Sequence, residues 1–172
     1  MAKAFFRARL AERACDAMVA SAGFLTPGVE PAQEVIEVME DHGIDITGHR
    51  SRQVSAALVA QADLVAAMTR QHLIEIATMV DDAWTRCFTL ADLVQRAEAV
   101  GPRAADESIQ AWVRRLHGAR ARSSLLSLDL GDDIADPMNG RRSAFSRTAE
   151  EIDDLVGRLA GLVCPTGRSA SV

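Results

Sequence analysis

The sequence lacks any apolar run approaching the roughly 18 residues that a bilayer-spanning helix needs. Its opening, with Lys3, Arg7 and Arg9 around Phe5 and Phe6, lacks the apolar core of a signal peptide. The expectation is a cytoplasmic protein with no membrane partner. Cysteine is scarce: Cys15, Cys87 and Cys164 form an odd, scattered set without a C-x-x-C pair, which predicts neither a disulfide framework nor a zinc site and fits a reducing cytosol. Positive charge is short as well. Lys+Arg 19 against Asp+Glu 24 gives a net charge of -5, the wrong sign for a general nucleic-acid binder, so no nucleic-acid partner is expected. Tyrosine is absent and Lys3 is the only lysine, an arginine bias that reads as codon usage. What remains is 172 residues, one domain by length, with 48% hydrophobic and 25% charged residues, enough to bury a core.

Periodicity predicts an α/β chain. Ala2, Phe6 and Leu10 form a helical stripe at i, i+4 and i+8. A strand is expected at Met18–Ser21, then a helix opened by Pro31, carrying Ala32, Val35 and Met39 on one face and ended by Gly43. A short helical piece at Ala56–Gln61 leads to a strand at Leu64–Met68, and Thr69 is positioned to cap the next helix, with Leu73, Ile76, Ala77 and Val80 on its inner face. Trp84–Phe88 reads as a further strand. Ile109, Trp112, Val113 and Leu116, and later Ile152, Leu155, Val156 and Leu159, mark two more helices around a turn-rich loop from Gly131 to Arg142. Such alternation predicts a parallel sheet with covering helices, about three visible strands and five or six helices. The tail from Cys164 to Val172 is expected to fray.

The histidines stand apart from carboxylates and cysteines at ligand spacing, so no metal site is predicted. His49, Arg50 and Arg52 read as loop residues bonding locally with Ser51 or Ser55 rather than as catalytic groups. Arg114, Arg115, Arg120 and Arg122 read as a solvated face, and Asp132 and Asp133 as solvated loop carboxylates. Asp136-Pro137, on residues alone, is a turn signal.

The order of short motifs carries more. Met1–Leu10, Val19-Ala20-Ser21-Ala22-Gly23, His42-Gly43-Ile44-Asp45, Gly48-His49-Arg50-Ser51-Arg52-Gln53, Ala62-Asp63-Leu64-Val65, Met68-Thr69-Arg70, Phe88-Thr89-Leu90 and Asp133-Ile134-Ala135-Asp136-Pro137 follow one another over nearly the whole chain. Together they resemble the low-molecular-weight protein-tyrosine phosphatases, as that family looks immediately after its catalytic loop. The resemblance implies a three-layer α/β fold with a flavodoxin-like parallel sheet of order 2-1-3-4, its central first strand missing from this chain. It places a phosphatase-like domain over 1–163, with an insert at about 98–130 and a tail at 164–172. It also implies hydrolysis of phosphotyrosine in a protein, or of a small aryl phosphate, through a cysteinyl-phosphate, with no cofactor. Asp136 would be the general acid, and Met138 would stand where the family has an aromatic wall of the phosphotyrosine slot.

The family's nucleophile and phosphate-clamping arginine belong to a C-x-x-x-x-x-R loop, and the positions six after Cys15, Cys87 and Cys164 are Ser21, Leu93 and Ala170. The loop is expected just ahead of Met1, and the 172 residues as they stand are expected to be inactive. Two alternatives stay open. One is a catalytically dead relative that captures a partner through the remaining cleft; the other is an arsenate reductase-like protein, for which Cys87 and Cys164 lie far apart in sequence.

Overall fold

Side-chain hydroxyls start four of the helices in the computed structural model, which describes residues 1–118, 132–138 and 140–165. The hydroxyl of Ser55 accepts the Leu58 N–H and opens α3 (Ala56–Gln61), and Thr69 does the same with the His72 N–H for α4 (Arg70–Met79). Thr89 and Ser108 accept from Asp92 and Ala111 to open α5 (Leu90–Val100) and α6 (Ile109–His117). Each bond satisfies an amide that a first helical turn leaves unpaired. The remaining helices are α1 (Ala2–Ala11), α2 (Gln33–Asp41) and α7 (Arg142–Val163). Past the end of α2 the chain turns through Gly43 at φ 71°, a left-handed conformation that suits glycine.

Two strands, β1 (Val65–Ala67) and β2 (Cys87–Thr89), pair in parallel with Val65 opposite Cys87, joined by α4 and the 3-10 turn Ala83–Thr85. Side chains alternate across this pair. Ala67 and Cys87 join Val59, Leu73, Ile76 and Ala83 in a core beneath α3 and α4. Leu64, Met68 and Phe88 face a larger core made with α1, α2, α5, α6 and α7. The pair therefore separates two helical layers, the expected three-layer α/β arrangement.

The larger core is organised around α7, whose inner face buries Phe145, Thr148, Ala149, Ile152, Val156, Leu159, Ala160 and Val163. The α1 helix runs parallel to it. Arg9 grips Asp153 with two guanidinium nitrogens (Nε 3.1 Å, Nη2 2.7 Å), an added Cβ at Gly157 would lie 3.8 Å from Arg9 Nε, and one at Gly161 would lie 3.4 Å from Arg13 Nη2. Among the described residues, no helix is long and apolar enough to cross a membrane.

Several expectations change. Met18–Ser21 is not a strand: an extended segment becomes one only through a hydrogen-bonded neighbour, and here only Gly23 makes a bridge, to Gln53, while Met18 is 98% exposed. Trp84–Phe88 divides into the 3-10 turn and β2, because Ala83, Thr85 and Arg86 close local turns back to Val80, Asp82 and Ala83. The described residues thus hold two strands and seven α-helices rather than three and five or six. On α1 the deeply buried aromatic is Phe5, with Phe6 half-buried. Within the expected insert, residues 98–118 complete α5 and form α6; residues 119–131, with Arg120 and Arg122, and the tail from residue 166 lie outside the described residues.

Cysteine gives the largest correction. Cys15 and Cys164 form a disulfide across 149 positions, with Cα atoms 6.1 Å apart, because parallel packing of α1 and α7 brings their ends together. Cys164, expected at the start of a frayed tail, is buried. Cys87 is buried in the smaller core.

Phe5 stands edge-on to His42, ring centroids 5.0 Å apart, where α1 meets the end of α2. Phe5→Ala is expected to destabilise the fold by about 3–5 kcal/mol, measured as a lower urea midpoint at unchanged slope; a loss below about 1 kcal/mol would place Phe5 outside the core.

Candidate active site

The Asp-Pro segment is fastened at the C-terminal end of β1. Ile134 is buried, and its N–H donates to Met68 O at 2.9 Å, one residue past the strand. Asp133 Oδ1 accepts the Arg70 N–H at 2.6 Å, in the first turn of α4, where an anionic acceptor is favoured. Arg70 in turn pairs through Nη2 with Asp132 Oδ2 at 3.4 Å, their side chains only 14% and 22% exposed. On the other side the Thr148 hydroxyl donates to Ala135 O at 3.3 Å, tying the segment to α7. Asp132 and Asp133 are thus anchors rather than the solvated carboxylates expected from sequence. No local spacing joins 133 to 70, and a pair of carboxylates beside Ile134 was the only signal.

Beyond these anchors the chain turns tightly. Asp136 Oδ1 accepts the Met138 N–H at 3.0 Å, an Asx turn, and the Gly140 N–H donates to Pro137 O at 2.8 Å. A Cβ on Gly140 would lie 2.8 Å from Pro137 O and 2.9 Å from Ala144 Cβ, so the turn has room only for glycine. Asp136 is exposed, and Met138 is 56% exposed beside it. A rigidly held loop thus presents a solvent-facing carboxylate at the end of a parallel strand, the side on which open α/β folds carry their sites.

The segment from Asp45 to Arg52 forms a second group. Asp45 Oδ1 accepts both the N–H and the hydroxyl of Thr47 (2.8 and 2.7 Å), bonds that hold its carboxyl below the usual range. Arg50 donates to the nearby Thr47 O and His49 O, but also to Glu30 Oε1, and Ser51 bonds to the Val29 N–H and to Thr26 O, so these bonds tie the stretch to the segment from Thr26 to Glu30 rather than joining its cations to Ser51 or Ser55 as expected. Burial lowers the His49 pKa, with the charges of Lys3, the amino group of Met1 and Arg50 adding to the effect, so this loop lies beside the start of α1. The other histidines lie apart. His42 follows α2, His72 stacks on Phe24 at 5.2 Å, and His117 meets Trp84 edge-on at 4.4 Å. Among the described residues no three His, Cys, Asp or Glu side chains converge into a set that could hold a metal ion.

The chain resembles known proteins. Residues 1–109 match the profile of the low molecular weight phosphotyrosine protein phosphatases. A probable low molecular weight protein-tyrosine-phosphatase, EpsP, of Ralstonia nicotianae is 34% identical over 110 residues, covering 57% of this chain and 76% of that protein. A protein-arginine-phosphatase of Bacillus subtilis is 26% identical over 161 residues, covering 93% of this chain and 85% of that protein. In structure, a low molecular weight protein tyrosine phosphatase of Bacillus subtilis superposes with a TM-score of 0.67 at 23% identity, over 94% of this chain and 85% of that one. The latter likeness establishes the fold.

Two outcomes are expected. Because burial and nearby cations disfavour the imidazolium, His49 titrates below its ordinary 6.5. Protonation then favours the unfolded chain, and the contribution of His49 to stability, intact above pH 6.5, falls as the pH drops from 6.5 toward the lowered folded-state value. NMR titration of the ring checks this, and a midpoint at or above 6.5 would contradict it. Gly140→Ala forces the Pro137 turn open and is expected to cost about 1–3 kcal/mol in chemical denaturation; a neutral substitution would show that the turn yields freely.

Proposed function

Because the chain belongs to the low molecular weight phosphotyrosine protein phosphatase family, we propose that its Asp136 loop supplies the general acid for phosphomonoester hydrolysis. The partner is a phosphoprotein, and the substrate group is phosphotyrosine or a small aryl phosphate. The observation that supports this most is the fastening of the loop. Met68, Arg70 and Thr148 together hold residues 133–135, so the carboxylate of the next residue has a defined place at the end of β1.

The chemistry needs a proton donor at the leaving group. A cysteine thiolate of the family's C-x-x-x-x-x-R loop attacks phosphorus, an S–P bond forms, and the aryl P–O bond breaks. Asp136 delivers its carboxyl proton to the departing phenolate oxygen, and its carboxylate later takes a proton from the water that cleaves the S–P bond. Met138, exposed beside Asp136, lines the slot for the aromatic ring with a flexible, polarisable side chain. The 172 residues contain no C-x-x-x-x-x-R loop, so turnover requires that loop to be supplied by further sequence. On this reading the 172 residues alone do not turn over substrate.

The relative named a protein-arginine-phosphatase makes the leaving atom the discriminating test. The 172-residue chain is assayed beside the same chain extended by the residues encoded in frame ahead of Met1, on phenyl phosphate, p-nitrophenyl phosphate and phosphoarginine. The extended chain is expected to hydrolyse the aryl esters and the shorter one to be inert. Asp136→Asn in the extended chain is expected to lower kcat by about 10²–10⁴-fold on phenyl phosphate and by less on p-nitrophenyl phosphate, whose better leaving group needs the proton less. Turnover by the 172-residue chain, or an Asp136→Asn variant with undiminished kcat, would overturn the assignment. Preference for phosphoarginine would move the substrate class to a P–N bond and leave the acid in place.

A further inference from the structure

We propose that Cys15 and Cys164 are a reversible redox clip that closes and releases the C-terminal ends of α1 and α7. The clip is independent of the phosphatase chemistry. Its Cα atoms stand 6.1 Å apart, within the range a disulfide spans, and they are brought there by helix packing rather than by nearness in sequence. The two sulfurs differ in access. Cys164 is buried at the end of α7, where Arg103 donates to Val163 O (2.8 Å) and to Leu162 O (2.9 Å) and fixes the last turn. Cys15 is half-buried, in the segment that leaves α1.

That segment is held in an unfavourable shape. The Cys15 N–H returns to Leu10 O at 3.0 Å, and the Ala14 N–H to Ala11 O at 3.0 Å, around Ala14 at φ 50°. This is a helix stop that ordinarily takes glycine, and Ala14 is the only non-glycine residue with positive φ among the described residues. The next residue is the one bonded to α7. In the disulfide state the covalent bond holds the stop closed; in the dithiol state the segment from residue 12 to 22 keeps its local hydrogen bonds and the packing of Cys15 and Val19 against the larger core but loses its covalent tie to α7, so it opens more readily.

The natural oxidant class is a small disulfide such as oxidised glutathione. The Cys15 thiolate attacks one sulfur of that disulfide, forming a mixed disulfide and releasing one thiolate. Cys164 then attacks the Cys15 sulfur and releases the second. The balance is two protein thiols and one small disulfide giving the Cys15–Cys164 bond and two small thiols. An excess of small thiol runs the same steps backwards.

The reduced 172-residue chain is treated with oxidised glutathione and followed by intact mass, peptide mapping, thermal unfolding and amide exchange. The expected product has lost two hydrogens and carries a Cys15–Cys164 cross-linked peptide, with Cys87 unmodified. Its midpoint lies on the order of 10 °C above that of the reduced chain, and exchange slows in residues 12–22 while β1 and β2 are unchanged. Cys15→Ser and Cys164→Ser melt like the reduced chain and ignore the oxidant, whereas Cys87→Ser responds like the parent. A stable glutathione adduct on Cys15, or oxidised and reduced chains with the same midpoint and the same exchange in residues 12–22, would overturn the proposal.

Discussion

The packing of α1 along α7 is the constraint on which the rest of the molecule depends. α7 buries one face against α1, α2 and α5, and the larger core is the space these helices enclose with the face of β1 and β2 that carries Phe88. Two features mark the close approach. A Cβ added at Gly157 or Gly161 would stand in ordinary contact with the guanidinium groups of Arg9 and Arg13, and the Arg9–Asp153 fork fixes the rotation of one helix against the other. A planar guanidinium meeting a carboxylate through two nitrogens holds direction as well as distance. Neither partner is deeply buried, so the fork contributes more to register than to stability.

The candidate acid loop inherits its position from the same helix. α7 begins two residues after Gly140, whose close contact with Pro137 and Ala144 leaves no slack between the Asp-Pro turn and the helix. Thr148, one of two buried polar residues among those described, reaches back from the second turn to Ala135. The opposite side of the loop rests on Met68 and Arg70, so a displacement of α7 would strain bonds to β1 and α4 at once.

Helices were largely legible from sequence because what defines them is local. The hydroxyls of Ser55, Thr69, Thr89 and Ser108 act within three residues, and the apolar spacing of Ile109, Trp112, Val113 and Leu116 corresponds to one face. Strands were less so. Whether Met18–Ser21 or Trp84–Phe88 pairs depends on which backbone lies alongside, and residue identity does not carry that. The site divided in the same way: the Asp136 turn is local and readable, whereas its anchors at Met68, Arg70 and Thr148 are fixed only by tertiary placement. Cys15 and Cys164 are the extreme case. Scattered spacing argues against a disulfide only when the fold is unknown, because two parallel helices whose ends are in register bring any pair of terminal residues together, whatever the length of chain between them.

The clip and the acid loop sit at opposite ends of α7. A helix of 22 residues spans about 33 Å, too far for the disulfide to act on Asp136 through the field of any charge it removes. Mechanical coupling would require α7 to move as a body, and its contacts with α1, α2 and α5, together with the Arg158–Glu98 pair, oppose that. The shorter route is through α1. Its last turn ends at the clip, while its first residues lie beside His49 and the loop from Asp45 to Arg52. A redox change at Cys15 therefore bears first on the segment from 12 to 22 and on the helix whose start adjoins that loop, and leaves the proton donor where β1 and α4 hold it.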